Sequence, residues 1–379
     1  MDADKCFLVY RPPYTLATEP YNRCVRSTDV CIAGGGIIGL SIALELAGCG
    51  LRVTVLERGR AMSEASWAAA GMLAAHDPEN PTALRPLSDL SIALYPGYLE
   101  TVEYLSGLRV PLRTSGTLQG AGENHVFDPA LSPSEIASRL PELNPSGRSF
   151  QWLDEHSFDP RDLCAALPKA AKAAGITLVE QSQVTSVRST ASGADAGVEV
   201  CTAQATYSAT HFINCCGAWA GAVSNLPAIE PRKGQMVTIQ LPPHRQLPCV
   251  IRTPELYLVP RGDGRVVIGA SVERVGFDKS VEETTIQSLL EKAADFWPPV
   301  REAQIVETWA GLRPGSTDGL PVIGANGEKN CWIASGHFRN GILLAPATAR
   351  VLRQIVLKET PSVDLSLFRC DRFAPASVS

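Results

Sequence analysis

A glycine triplet at the start of the chain constrains the fold more than any other feature. Residues 28–33 (TDVCIA) form a short apolar run that meets Gly34, Gly35 and Gly36, and residues 37–47 then have helical content. Residues 51–56 (LRVTVL) alternate and are β-branched, as a second strand would be. Strand, tight turn, helix and strand within about 30 residues make the opening unit of a parallel, helix-covered sheet. The glycines stand as Gly34-x-Gly36-x-x-Gly39, a spacing that lets a pyrophosphate approach a helix N-terminus closely. With 31 glycines in 379 residues the bare pattern arises by chance about 0.2 times per chain, so its context matters. That context is a strand before it, a helix after it, and Glu57 at the end of the next strand. A carboxylate there accepts hydrogen bonds from ribose hydroxyls and repels a 2′-phosphate, which favours FAD or NAD over NADP.

Composition narrows the remaining classes. The chain is 45% hydrophobic and 19% charged, the balance of an ordinary globular protein of two or three domains. Its net charge of −5 and lack of a Lys/Arg stripe argue against a nucleic-acid partner. The eleven cysteines include no Cys-x-x-Cys pair, so they read as reduced thiols, with no metal site expected. The longest uncharged apolar run, 30–44, is 15 residues with four glycines, too short for a membrane span. Residues 1–27 lack the pattern of a signal peptide and read as a loosely ordered extension or an over-called start, so a cytoplasmic location is expected.

Further along, 66–75 (SWAAAGMLAA) is small and glycine-interrupted, as backbone packed against something flat would be. Residues 162–174 read as a helix capped by Asp159 before Pro160. Strands are expected at 176–180, 184–188, 201–207 and 210–215, and hairpins from 234 to 269 around a Gly-Asp-Gly turn. A helix at 284–296, a strand at 332–335 and a helix from 342 to 357 complete the pattern. The expected architecture is α/β: a discontinuous Rossmann-like FAD-binding domain (28–84, 156–228 and 311–360) and a substrate-binding domain with an antiparallel sheet (85–155 and 229–310). Residues 361–379 read as a C-terminal tail.

Flavin is favoured over nicotinamide by the downstream segment Asp318-Gly319-Leu320-Pro321-Val322-Ile323-Gly324, a strand, and a 336–341 turn into a helix. This would aim a second helix N-terminus at the ligand, where negative charge on a reduced flavin is stabilised. Four motifs then carry a resemblance: Gly34-Gly35-Gly36-Ile37-Ile38-Gly39, Ala68-Ala69-Ala70-Gly71-Met72-Leu73, Trp309-Ala310-Gly311-Leu312-Arg313-Pro314-Gly315, and Gly336-His337-Phe338-Arg339-Asn340-Gly341-Ile342-Leu343-Leu344-Ala345-Pro346. Over 28–360 the chain resembles the glycine oxidases of the D-amino-acid oxidase superfamily.

The resemblance implies non-covalent FAD, since 311–319 lacks the cysteine that some relatives carry there. It implies that Gly34, Gly36, Gly39 and Glu57 hold the ADP half, with the Val184 backbone near adenine, and that Arg58, Ser66 and Gly217 also bind the cofactor. Ala70, Gly71 and Met72 would lie along the isoalloxazine, with Gly336, His337, Arg339, Asn340, Gly341 and Ile342 on its pyrimidine side. Arg313 and Tyr257 would take the substrate carboxylate, a guanidinium being the fork that matches it. Arg339 is a second candidate for that carboxylate, and His337 a weaker one for acid/base work. Glu255 departs from the histidine of one relative, which weakens the case for glycine in particular.

The reaction implied is oxidative deamination of glycine, sarcosine or a small D-amino acid. Hydride passes to FAD, the imine hydrolyses to a 2-oxo acid and ammonia, and O₂ accepts the electrons to give H₂O₂, with a role in thiamine biosynthesis. A homo-oligomer is allowed by the sequence. Two rivals stay open: a dehydrogenase of the same fold that feeds a quinone or carrier, and a non-enzymatic flavin- or NAD-binding protein.

Overall fold

A computed structural model describes residues 25–122, 125–190, 197–224 and 229–373. The expected extension up to residue 24 and the last six residues of the tail lie outside the described residues. Residues 25–27, read as part of that extension, instead begin the strand Val25–Ala33.

This strand is central to an eight-stranded sheet. It pairs in parallel with Val53–Leu56 on one side and Thr206–Asn214 on the other. Thr177–Val179 and Cys331–Ser335 continue the parallel ladder outward, and Val322–Ala325 adds an antiparallel edge. Residues 201–207 do not form one strand. They bend from Gly197–Thr202 into Thr206–Asn214, and the Thr202 hydroxyl accepts the Ala205 N–H inside the turn. A threonine that satisfies turn donors competes with the ladder, which an alternation pattern does not reveal.

The helices Ile37–Gly48, Pro160–Ala173 and Gly341–Val356 pack in one apolar core with this sheet. Asp159 caps the second of them, accepting the Arg161 N–H as expected. The 22-residue helix Arg85–Ser106 joins the same core through Leu87, Tyr95, Leu99 and Val102. The sequence grouped it with the other region because Pro86 and Pro96 interrupt its pattern. Its packing has a specific purpose. Pro346 lacks an N–H, so the carbonyl of Ile342 loses its helical partner. The Tyr95 hydroxyl donates to that carbonyl, and the Ser91 hydroxyl donates to Leu343 O at 2.6 Å. The first turn of the last helix is thereby held from outside.

The second region is a seven-stranded sheet, antiparallel except for one pair, with Glu283–Phe296 and Pro133–Arg139 helical beside it. Its hairpin Tyr257–Pro260 to Arg265–Gly269 turns at Gly262, Asp263 and Gly264, as expected. The two regions meet where 67–72 lies on this sheet, with Ala68 and Ala70 packed against Met236, Trp309, Val250 and Val259. Within the described part of the C-terminal tail, 361–373, Phe368 is buried in the first core, and Arg372 pairs with Asp318 at 2.7 Å.

Candidate active site

A cleft of about 510 Å³ runs along this junction, within the usual range of a small-molecule site. On its nucleotide side, Gly34 has φ +105°, and a Cβ there would sit 2.3 Å from the Cys215 carbonyl oxygen. Gly34 and Gly36 line the cleft, whereas Gly39 stands behind it. A Cβ on Gly39 would come within 2.0 Å of Gly34 O, so this glycine seats the helix against the loop. The helix has no acidic residue in its first turn. Ser66 Oγ accepts the Ile37 N–H at 3.0 Å, and the Glu57 carboxylate accepts the N–H groups of Gly35 and Gly59, both at 2.8 Å. Arg58 lies over the Trp219 ring at 3.5 Å and pairs with Glu64 at 3.0 Å; Val184 and Gly217 complete this wall. A glycine cradle, a helix N-terminus with no acidic residue in its first turn, and a carboxylate able to accept from ribose hydroxyls are the groups that the adenylate half of a dinucleotide calls for.

On the next wall, Ala70, Gly71 and Met72 line the cleft, Gly71 with φ +86°, and are pinned from both regions. Arg261 Nη1 donates to Ala70 O at 2.8 Å, and Phe158 N–H to Gly71 O at 3.0 Å. His337, Arg339, Asn340, Gly341 and Ile342 line the facing wall, and Gly336, with φ +78°, forms the turn behind them. Asn340 donates to Asn80 Oδ1 at 2.9 Å. Burial pushes the His337 imidazole down to about 3, so it is neutral, and its Nε2 bonds Thr348 Oγ1 at 3.1 Å. This makes it a poor acid/base group. Cys215 and Cys216 also line the cleft, and burial raises both thiols, Cys216 to about 12, so neither is a ready nucleophile.

Arg313 and Tyr257 meet on the substrate side. Each stands over a glycine of a neighbouring strand: the Arg313 guanidinium fills the space a Gly234 Cβ would take, and the Tyr257 hydroxyl that of Gly269. These two glycines were not anticipated, although glycine inside a strand pattern signals close approach. Burial raises the Tyr257 phenol against the lowering charge and hydrogen bond of Arg313, so the hydroxyl keeps its proton and can donate. Arg313 Nη1 itself donates to Ser271 O at 3.1 Å. The loop carrying Ser271 is anchored by Lys233, fully buried beside Glu273 at 3.1 Å and Asp278 at 3.3 Å.

Arg339 Nη2 lies 4.0 Å from Asp77, close enough to the cleft for either role expected of it. Glu255 lines the cleft too, but Arg148 holds it at 3.0 Å. Burial, which would raise its carboxyl, is outweighed by hydrogen bonds from Thr253, its own backbone and Arg148. Its charge is therefore already answered. Arg252, Asp77 and Glu155 escaped sequence reasoning, since nothing local distinguishes three isolated charged residues from surface ones.

Three comparisons bear on the family and fold of the chain. Residues 29–355 match the family described as FAD dependent oxidoreductase (DAO). The chain is 32% identical over 374 residues to a glycine oxidase of Geobacillus kaustophilus (strain HTA426), across 91% of this chain and 97% of that protein. It is 35% identical over 362 residues to a bifunctional protein ThiO/ThiG of Synechocystis sp. (strain ATCC 27184 / PCC 6803 / Kazusa), across 92% of this chain. It spans 54% of that protein, about half its length. The crystal structure of glycine oxidase from Geobacillus kaustophilus superposes with a TM-score of 0.86 at 31% identity, across 92% of this chain and 100% of that one.

Proposed function

Because the chain belongs to the FAD dependent oxidoreductase (DAO) family, we propose that it oxidises glycine or a similarly small amino acid, such as sarcosine or a small D-amino acid. The products are a 2-oxo acid, ammonia or an amine, and H₂O₂. The observation that carries this reading is the Arg313–Tyr257 pair, a guanidinium and a protonated phenol side by side in the cleft that holds the nucleotide fingerprint. Arg313 takes the substrate carboxylate in place of Ser271 O, and the Tyr257 hydroxyl donates to the same group. Fixing the carboxylate at two points sets the reach and orientation of Cα, which is how positioning lowers a barrier. When bound, FAD would supply the acceptor for the Cα hydride, with O₂ as the terminal electron acceptor. No protein base is assigned, and the neutral, Thr348-bonded His337 is consistent with that. The names of the bifunctional relatives support a place in thiazole formation for thiamine.

The test is a peroxide-coupled assay of the yellow holoenzyme with glycine, sarcosine and D-alanine. Peroxide in step with substrate consumption is expected. A flavin that is reduced by substrate but persists in air would assign the chain to the carrier-linked dehydrogenases instead.

A further inference from the structure

Arg252 ends the strand Val250–Arg252, and its register partner on the neighbouring antiparallel strand is Tyr257. Directly opposed residues project from the same face, so Arg252 points where Tyr257 points, and it lines the same cleft. It is only 3% exposed. Its Nε donates to Gln119 Oε1 at 2.5 Å, yet Nη1 and Nη2 have no hydrogen-bond acceptor among the described residues. Glu155 Oε2 lies 2.9 Å from Nη1 but out of hydrogen-bond alignment, and it too lacks a donor.

The charges, by contrast, are met. Asp77 Oδ2 lies 3.6 Å from Arg252 Nε and 4.0 Å from Arg339 Nη2, so two guanidinium groups face the two carboxylates of Asp77 and Glu155. What this cluster lacks is an acceptor for the fork, not a counter-ion. A buried donor left unpaired is costly, and native proteins rarely keep one without a use. A second substrate carboxylate would bring a buried charge that the balanced cluster cannot answer. An uncharged oxygen brings the acceptor alone.

We propose that Arg252 is a specificity-determining residue whose Nη edge donates to an uncharged acceptor oxygen, a hydroxyl or carbonyl, carried by the substrate beyond its α-carboxylate. The inference rests on Arg313 and Tyr257 as the carboxylate anchor. It extends the substrate class from unsubstituted small amino acids to those with an oxygen one or two atoms from Cα.

Three achiral acids test it without turnover: butyrate, 3-hydroxypropionate (a hydroxyl in place of the terminal methyl) and malonate, each titrated into the FAD holoenzyme and followed by the flavin spectrum. A hydrogen bond to a charged donor predicts that 3-hydroxypropionate binds about tenfold or more tighter than butyrate. Malonate should bind more weakly than 3-hydroxypropionate. In Arg252→Lys, which keeps the charge beside Asp77 and Glu155 but not the fork, the hydroxyl advantage should shrink to about twofold or less. Butyrate affinity and FAD content should stay at wild-type levels. Equal wild-type affinities for 3-hydroxypropionate and butyrate would mean that the fork only holds water, and the inference fails while the anchor stands. Tightest binding by malonate would overturn it in favour of a dianion site. Loss of FAD from Arg252→Lys with the preference intact would assign the residue to the cofactor. If none of the three acids perturbs the flavin, the carboxylate anchor is wrong and the inference falls with it.

Discussion

The nucleotide and substrate sides of the cleft are built in different ways. Most of the nucleotide side comes from one stretch: Gly34, Gly36, Glu57, Arg58 and Ser66 fall within 33 consecutive residues, and the side chains of Glu57, Arg58 and Ser66 bond to Gly35, Gly59, Glu64 and Ile37 of that same stretch. The substrate side draws Asp77, Arg252, Tyr257, Arg313 and Arg339, with Glu155 against Arg252, from five separate segments. Its side chains are positioned by strand register and by charge, with Arg313 and Tyr257 seated over glycines of adjacent strands. A local motif can be kept while a distributed one is retuned. The difference teaches that cofactor binding and substrate choice should respond separately to substitution.

Arg313→Ala is the strongest way to break that separation. Removing one partner of a desolvated charge pair costs about 2–5 kcal/mol, so kcat/KM for the amino acid should fall by a factor on the order of 30 to several thousand. FAD content should be unchanged, and Arg313→Lys should recover only part of the loss. An amine without a carboxylate should barely notice the mutation. An equal loss for both substrates would make Arg313 a structural or flavin-site residue, with Arg339 the next candidate for the carboxylate.

The mirror experiment is Glu57→Ala. Charge-assisted bonds to ribose contribute about 1.5–3 kcal/mol, so FAD affinity should drop roughly 10- to 150-fold while KM at saturating FAD stays put. The carboxylate also binds Gly35 and Gly59 N–H, so part of this loss comes from loosening of the glycine loop itself. Unchanged affinity in a flavin titration would sink the assignment.

His337 lies where the two sides adjoin, and its test is pH. Its folded value near 3 is below the ordinary unfolded value of about 6.5. A depressed histidine favours folding above the unfolded value, and that contribution is lost as pH falls from about 6.5 toward 3. At pH 5 the apoprotein should lose on the order of 2 kcal/mol from this residue. Urea midpoints at pH 7 and pH 5 for wild type and His337→Gln measure it; an identical drop in both proteins would show that the imidazole contributes nothing.

Gly269→Ala should have the smallest effect. Its Cβ would fall 2.5 Å from the Tyr257 hydroxyl, so the ring must shift at a cost of about 1 kcal/mol. KM for the amino acid should rise about fivefold, with FAD binding untouched. A change in FAD affinity instead would show that the two sides are mechanically coupled.

What a short window of residues contains, the sequence determined: the strand–glycine–helix–strand unit with Glu57, the Asp159 cap and the Gly-Asp-Gly hairpin turn. Each depends on contacts between neighbours in the chain, where propensity and spacing decide. Arg313 and Tyr257 were legible only through the resemblance of longer motifs, because an arginine on a strand bears no local mark of what it faces. The tertiary structure alone decided that helix Arg85–Ser106 packs in the nucleotide core, supplying the Tyr95 hydroxyl to the Ile342 carbonyl that Pro346 leaves without a donor. It alone buried His337 into neutrality, neutralised Glu255 with Arg148 and set Arg252 between Gln119, Asp77 and Glu155. Gln119 and Arg252 are 133 residues apart. Burial and charge pairing at such separations depend on which strands lie side by side, and no periodicity along the chain encodes that.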